Sequence, residues 1–304
     1  MNLLEKMNYA IDYVEQHITD EIDLTKIAQL ACCSTYNFQR MFSFIADISI
    51  VEYIRRRRLT MAALELQQSN IKVIDLAFKY GYESPVSFTR AFQSMHGITP
   101  TAARNPNVSL KAFSRISFQI TIKGVNEMNY RIVKTEPFKV FGLEGIVSTV
   151  NDSKYFPHVG AIWQENHKNG KYEQLFLDAG ESKHILYETM FINSMCRIHG
   201  LMNYKKIDDT TYGYMQCSFV TPESKTEGYE IYELPQTTWV VFPMDIPDWD
   251  VGGAMNILNK RFYSEWLPIS EYEKADGPEF EMYGGSPKKG YIELWMPIVK
   301  KVKN

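Results

Sequence analysis

One stretch of the chain repeats itself at an offset of 50 residues, and a repeat of that length confines what residues 1–104 can fold into. Ser34, Phe38, Arg40, Phe42, Ile48 and Ser49 align with Ser84, Phe88, Arg90, Phe92, Ile98 and Thr99. Ala28 aligns with Ala77 once the intervening turn is shifted by one residue. Both copies read as helical. Leu3, Leu4, Met7, Ile11, Val14 and Ile18 recur at three- and four-residue spacing, as on an amphipathic helix. Leu24, Ile27, Ala28 and Ala31 continue as a second, shorter helix. Ser34 supplies an N-cap for a third, and Ile50 to Leu66 reads as one longer helix. Ser84-Pro85 sets an N-cap before a proline at the first helical position. Gly97 suits the end of that helix, and Thr99-Pro100 starts another.

The helix that opens at Ser34, and its copy from Ser84, each carry two faces. Phe38, Met41, Phe42 and Ile45 point inward in the first, and Phe88, Ala91, Phe92 and Met95 in the second. Outward lie Tyr36, Gln39, Arg40 and Ser43, then Val86, Thr89, Arg90 and Gln93. Each outward row starts near a helix N-terminus, where a recognition helix meets base edges in the major groove. Arg40 and Arg90 can pair bidentately with guanine and Gln39 with adenine, while Tyr36, Val86 and Thr89 can contact thymine methyls. Arg40, beside Gln39, is expected to carry the most sequence discrimination. The dense basic run Arg55 to Arg58, on the connecting helix, suits phosphates. A plain helical bundle with solvated Arg and Gln would explain one such helix as well; two copies with the same outward positions favour two helix-turn-helix units. Charge alone does not point to nucleic acid, because the chain's net charge is −3.

Other features bound the rest. A chain of 304 residues, 45% hydrophobic and 23% charged, has material for two cores. No apolar run approaches a membrane span, and the opening Met1-Asn2-Leu3-Leu4-Glu5-Lys6 lacks the pattern of a signal peptide, so a cytoplasmic location without membrane partners is expected. Cys32, Cys33, Cys196 and Cys217 form no C-x-x-C pair, and reduced thiols are the simplest reading, with Cys32-Cys33 as small residues at a helix turn. His158, His167, His184 and His199 show no ligand spacing, and neither G-x-S-x-G nor a phosphate-cradling glycine loop occurs. No metal, cofactor or catalytic set is therefore expected.

Residues 105–128 read as a linker: Asn105-Pro106-Asn107 breaks the helices, and Ser117 to Ile122 alternates as a strand would. From Tyr130 the texture changes. Strands are expected at 130–135, 138–147, 211–220, 228–234, 237–245, 278–283 and 290–299, with helices near 157–168 and 251–266. Tyr130-x-Ile132 matches Tyr229-x-Ile231, each ahead of a second strand and a helix bearing Trp163 or Trp266. The fold class expected is an all-α tandem helix-turn-helix domain over 1–104, then an α+β domain over 129–304 built from a duplicated strand–helix–strand–strand unit. Residues 170–209 fit neither half. In Tyr291-Ile292-Glu293-Leu294-Trp295-Met296, alternation puts Glu293 between Tyr291 and Trp295 on one face. The earlier repeat offers Tyr212, Tyr214 and Gln216. Aromatic walls around one carboxylate suit a cationic or amphipathic ligand; a solvated edge-strand glutamate fits the spacing equally.

Val73-Ile74-Asp75-Leu76-Ala77, Gly81-Tyr82-Glu83-Ser84, Phe88-Thr89-Arg90-Ala91-Phe92 and Gly97-Ile98-Thr99-Pro100 resemble the signature of the AraC/XylS transcription regulators. That resemblance spans residues 3–104 and implies two recognition helices in successive major grooves. By position it puts base contacts on Tyr36, Gln39 and Arg40, then on Pro85, Val86, Ser87 and Arg90, and phosphate contacts remain with Arg55 and Arg57. It further implies activation through contact with RNA polymerase. Residues 129–301 resemble the GyrI-like effector-binding domains through Tyr291 to Ile298. There the position of Glu293 contacts ligand, and Trp163, Tyr214 and Trp239 join Tyr291 and Trp295 as pocket candidates. Some GyrI-like relatives hydrolyse small molecules with a Glu and a Tyr, which leaves hydrolysis at Glu293 and Tyr214, or a ligand-independent protein-interaction module, as alternatives.

Overall fold

The computed structural model describes residues 3–119, 128–149, 159–181, 184, 186, 196–286 and 288–301. The chain divides into two compact units, Met1–Ile122 and Lys123–Asn304.

The first unit holds α1 (Leu3–Gln16), α2 (Leu24–Leu30), α3 (Thr35–Ala46), α4 (Ile50–Gln68), α5 (Val73–Lys79) and α6 (Pro85–His96). The repeat in the sequence is a repeat of turn chemistry. After α2, Cys32 adopts a left-handed φ of 55° and the Cys33 N–H donates to the Ala28 carbonyl at 3.1 Å. After α5, Gly81 has φ 78° and the Tyr82 N–H donates to the Ala77 carbonyl at 3.0 Å. Such a closure satisfies carbonyls that the helix end leaves bare. Ser34 and Ser84 then cap α3 and α6 by accepting from the Asn37 and Ser87 N–H groups. Phe38, Phe42 and Tyr53 stack in the core of the first copy, and Leu76, Ala77, Phe88 and Phe92 with α4 residues Leu59, Ala62 and Leu66 form that of the second.

The expected linker over 105–128 is not a free connector in its described part. Phe118 is buried with its ring 5.9 Å from Phe42, and its backbone exchanges two hydrogen bonds with the Asn8 side chain, at 2.8 and 2.9 Å. The Phe113 N–H donates to Thr60 Oγ1, and Arg57 donates to the Phe113 carbonyl. Buried apolar side chains and satisfied backbone groups dock the segment on α1 and α4. Residues 117–119 pair with no strand, and the remainder of the expected strand, 120–122, lies outside the described residues.

The second unit is an antiparallel sheet of nine strands: β1 (Arg131–Thr135), β2 (Phe138–Ser148), β3 (His199–Lys206), β4 (Thr211–Phe219), β5 (Glu230–Leu234), β6 (Thr237–Ile246), β7 (Tyr272–Lys274), β8 (Glu279–Ser286) and β9 (Lys289–Lys300). The order β1-β6-β9-β8-β3-β4-β2-β5, with β7 on β9, reads the same from both ends if β1, β2, β3 and β4 are matched to β5, β6, β8 and β9. The expected duplication is there, with two strands ahead of each helix. α7 (Val159–Lys168) and α8 (Lys171–Asp178) serve the first half; α9 (Val251–Arg261) and a π-helical turn, Phe262–Trp266, serve the second. β3 and α8 occupy part of 170–209, the stretch with no sequence reading. One sheet face buries Phe138, Met215, Trp239, Phe280, Met282 and Trp295 together. Tyr214 and Gln216 alternate with Met215 and Cys217, so they face the other way, toward α7.

Candidate functional sites

On α6 the outward row is open. Val86 is 60% exposed, and Ser87 and Arg90 are exposed as well. Pro85 is half-buried at the first helical position, and Thr89 turns its hydroxyl back onto the Pro85 carbonyl at 2.7 Å. What α6 offers a groove is therefore the Arg90 fork, the Ser87 edge and an apolar Val86.

The matching row on α3 differs from expectation. Tyr36 and Gln39 are 3% and 2% exposed, and the guanidinium of half-buried Arg40 lies over the Phe44 ring, 4.7 Å from its centre. Apolar spacing marks the face that packs on neighbouring helices and gives no reading of the exposure of the other residues. Arg57 departs further. Its guanidinium forks onto Glu15 at 2.6 and 2.8 Å, with the two side chains only 12% and 14% exposed. Burial alone would raise the Glu15 pKa, but the bonds from Arg57 and Tyr53 outweigh it and hold the carboxyl below its ordinary range. Arg57 thus clamps α4 to α1 and is not presented to phosphate. Arg55 forks onto Glu52 across one turn at 2.7 and 3.0 Å, with its side chain 41% exposed.

In the second unit the ligand candidates separate onto opposite faces of the sheet. Glu293, at 0% exposure, accepts from Arg131 Nη2 at 2.8 Å, Tyr291 Oη at 2.6 Å and Trp295 Nε1 at 2.8 Å. The Arg131 guanidinium also lies over the Trp295 ring. Trp239 packs edge-on against Trp295 on this face and donates to Thr135 Oγ1. The carboxylate expected to greet a cation already holds one from its own chain. Tyr214 lies on the far face, so Glu293 and Tyr214 share no site where they could act together.

Tyr214 instead meets Trp163, also a pocket candidate, and two residues the sequence reading missed, Tyr283 and Glu281. Trp163 Nε1 on α7 donates to Tyr214 Oη at 2.7 Å, and the Trp163 ring stands edge-on to Tyr283 at 5.4 Å. Tyr283 Oη donates to Glu281 Oε2 at 2.7 Å. Glu281 is 8% exposed. Burial, and then the nearby Glu281 charge, push both Tyr214 and Tyr283 well above the ordinary phenol pKa, so both remain protonated donors. These groups converge over Gly200 on β3. A Cβ there would lie 2.7 Å from Tyr214 Oη and 3.1 Å from each of Glu281 Oε2 and Tyr283 Oη. Alternation in Phe280-Glu281-Met282-Tyr283 was a signal, but acidic residues alternating with apolar ones also describe a solvated face. No cluster of His, Cys, Asp and Glu suited to a metal occurs among the described residues.

Family comparisons agree with this division of the chain. The profile of a helix-turn-helix domain family matches residues 27–106, and that of the integron-associated effector binding proteins matches residues 131–298. The chain is 40% identical over 92 residues to the HTH-type transcriptional activator AarP of Providencia stuartii, covering 30% of this chain and 68% of that protein. It is 32% identical over 98 residues to the multiple antibiotic resistance protein MarA of Escherichia coli K12, covering 32% and 77%. A solved integron cassette protein from Vibrio cholerae shares 14% identity across 56% of this chain and 95% of its own, with a TM-score of 0.37.

Proposed function

Because the chain belongs to the AraC/XylS-type regulators through its helix-turn-helix domain and to the integron-associated, GyrI-like effector binding proteins through residues 131–298, we propose that it is a cytoplasmic transcription activator whose DNA binding is governed by a small hydrophobic cation. The coarser reading, a DNA-binding regulator with an effector domain, follows from membership. The observation that supports the finer one is the buried Glu281 carboxylate walled by Tyr214, Tyr283 and Trp163. A desolvated carboxylate among aromatic rings favours a cation with apolar surface, through charge and ring faces together. Activation is supported by the similarity to AarP, a transcriptional activator, and the family resemblance implies contact with RNA polymerase.

On DNA, Arg90 reads a guanine, Arg55 adds phosphate affinity, and Tyr36, Gln39 and Arg40 supply the contacts of the first recognition helix. Two recognition helices on one chain serve an asymmetric site without a dimer. Fluorescence anisotropy on DNA from upstream of the chain's own gene, across a salt series and with tetraalkyl- or arylammonium cations added, tests the whole reading. Preference for that DNA over a scrambled sequence, altered by a cation in wild type but not in Glu281→Gln, is the expected result. No preference for that DNA in any condition overturns the regulator; a preference indifferent to every cation overturns the effector class.

A further inference from the structure

Gln216 on β4, Gly200 on β3 and Glu281 on β8 are Cα partners in sequence across three neighbouring strands. They form one row on the face that α7 covers. Two inter-strand steps of about 4.8 Å put Gln216 and Glu281 roughly 9–10 Å apart, with a glycine in the middle over which the Tyr214 and Tyr283 hydroxyls close. One end of the row is therefore an acceptor, the Glu281 carboxylate. The other end is an amide.

That amide is incompletely paired. Gln216 is 0% exposed; its Oε1 accepts from Asn166 Nδ2 on α7, while its Nε2 has no partner among the described residues. In this arrangement the Gln216 amine is an N–H donor shut away from water, which is costly unless something accepts from it.

We propose that Gln216 is the second anchor of the effector site and that the effector carries a hydrogen-bond acceptor, such as a ketone or amide oxygen, close to its positive charge. The inference rests on Glu281 being the counter-charge of the effector. The cation lies beside Glu281, displacing the Tyr214 and Tyr283 hydroxyls that now close over Gly200, and its oxygen accepts from Gln216 Nε2. Trp163 and Asn166 sit one turn apart on α7 and each ties that helix to β4, so the effector takes over contacts that α7 now makes.

The test is calorimetric titration of the full chain with two probes that differ by one carbonyl: phenacyltrimethylammonium and 2-phenylethyltrimethylammonium. Wild type should bind the ketone about tenfold more tightly, the effect of one hydrogen bond to a buried donor. Gln216→Leu should erase that preference, bringing the ratio of the two affinities close to one. Glu281→Gln should weaken both. Equal wild-type affinities overturn the proposal without recourse to any variant, and so does a Gln216→Leu protein that loses both probes equally. If the carbonyl-free probe binds and depends on Glu281 while the carbonyl adds nothing, the Gln216 anchor fails and the Glu281 site stands. If neither probe binds, or neither responds to Glu281→Gln, the site itself fails.

Discussion

Replacing Arg131 with Met tests whether Glu293 is a structural anion or a ligand group. The substitution keeps the stem that lies against Trp295 and removes the charge. Glu293, at 0% exposure, would keep its bonds from Tyr291 and Trp295 and lose the one partner that is a cation. Removing one member of a buried pair costs about 3–5 kcal/mol; the two remaining donors favour the low end, about 3. For a unit of this size each kcal/mol lowers Tm by about 2–4 °C, so a fall of roughly 6–12 °C is expected. All five tryptophans, Trp163, Trp239, Trp249, Trp266 and Trp295, belong to the second unit, so their fluorescence follows its unfolding selectively. Adding Glu293→Gln to Arg131→Met should restore much of the loss, because the stranded charge is gone. An Arg131→Met protein that melts with wild type, or a double variant no better than the single, would refute the argument.

Four further outcomes follow from the geometry. Arg90→Ala should weaken preferred DNA by about 1–3 kcal/mol and scrambled DNA much less, by anisotropy at fixed salt, whereas Arg57→Ala should lower the melting temperature of the helical unit, because it breaks the clamp on Glu15. Gly200→Ala should destabilise the second unit by about 1–3 kcal/mol and abolish effector binding, since the added methyl occupies the space between Tyr214, Glu281 and Tyr283; unchanged affinity in titration would place the ligand elsewhere. His199 is wholly buried, and burial takes its pKa down to about 3 from 6.5. The unfolded chain then binds the extra proton below about pH 6.5, so stability present at neutral pH drains away by about 1.4 kcal/mol per pH unit between there and pH 3. In acid melts followed by tryptophan fluorescence, His199→Gln should flatten that limb.

The helical unit was legible because its determinants are local. Ser34 and Ser84 cap the helices that follow them, and the left-handed turns at Cys32 and Gly81 lie within a few residues of the carbonyls they close. The strands with clean alternation were legible for the same reason. β3 was not: Gly200 and Asn203, the latter at φ 58°, break its pattern, and its register slips between Met202 and Lys206. α8 follows Gly170 and has no side-chain cap to announce it. The surroundings of Glu293 were not legible, because its counter-ion Arg131 lies 162 residues away. Periodicity reports which residues share a face; it does not report what that face meets.

The strand order of the second unit carries a consequence for its ancestry and its integrity. The first strand of each half does not return to its own half: β1 pairs with β6, and β5 with β2. In two separate copies that arrangement would be a swapped dimer, each subunit lending its leading strand to the other. Here the connection from β4 to β5 fuses the loan into one chain. Neither half pairs its own leading strand, so a half folding alone would leave that strand without a partner.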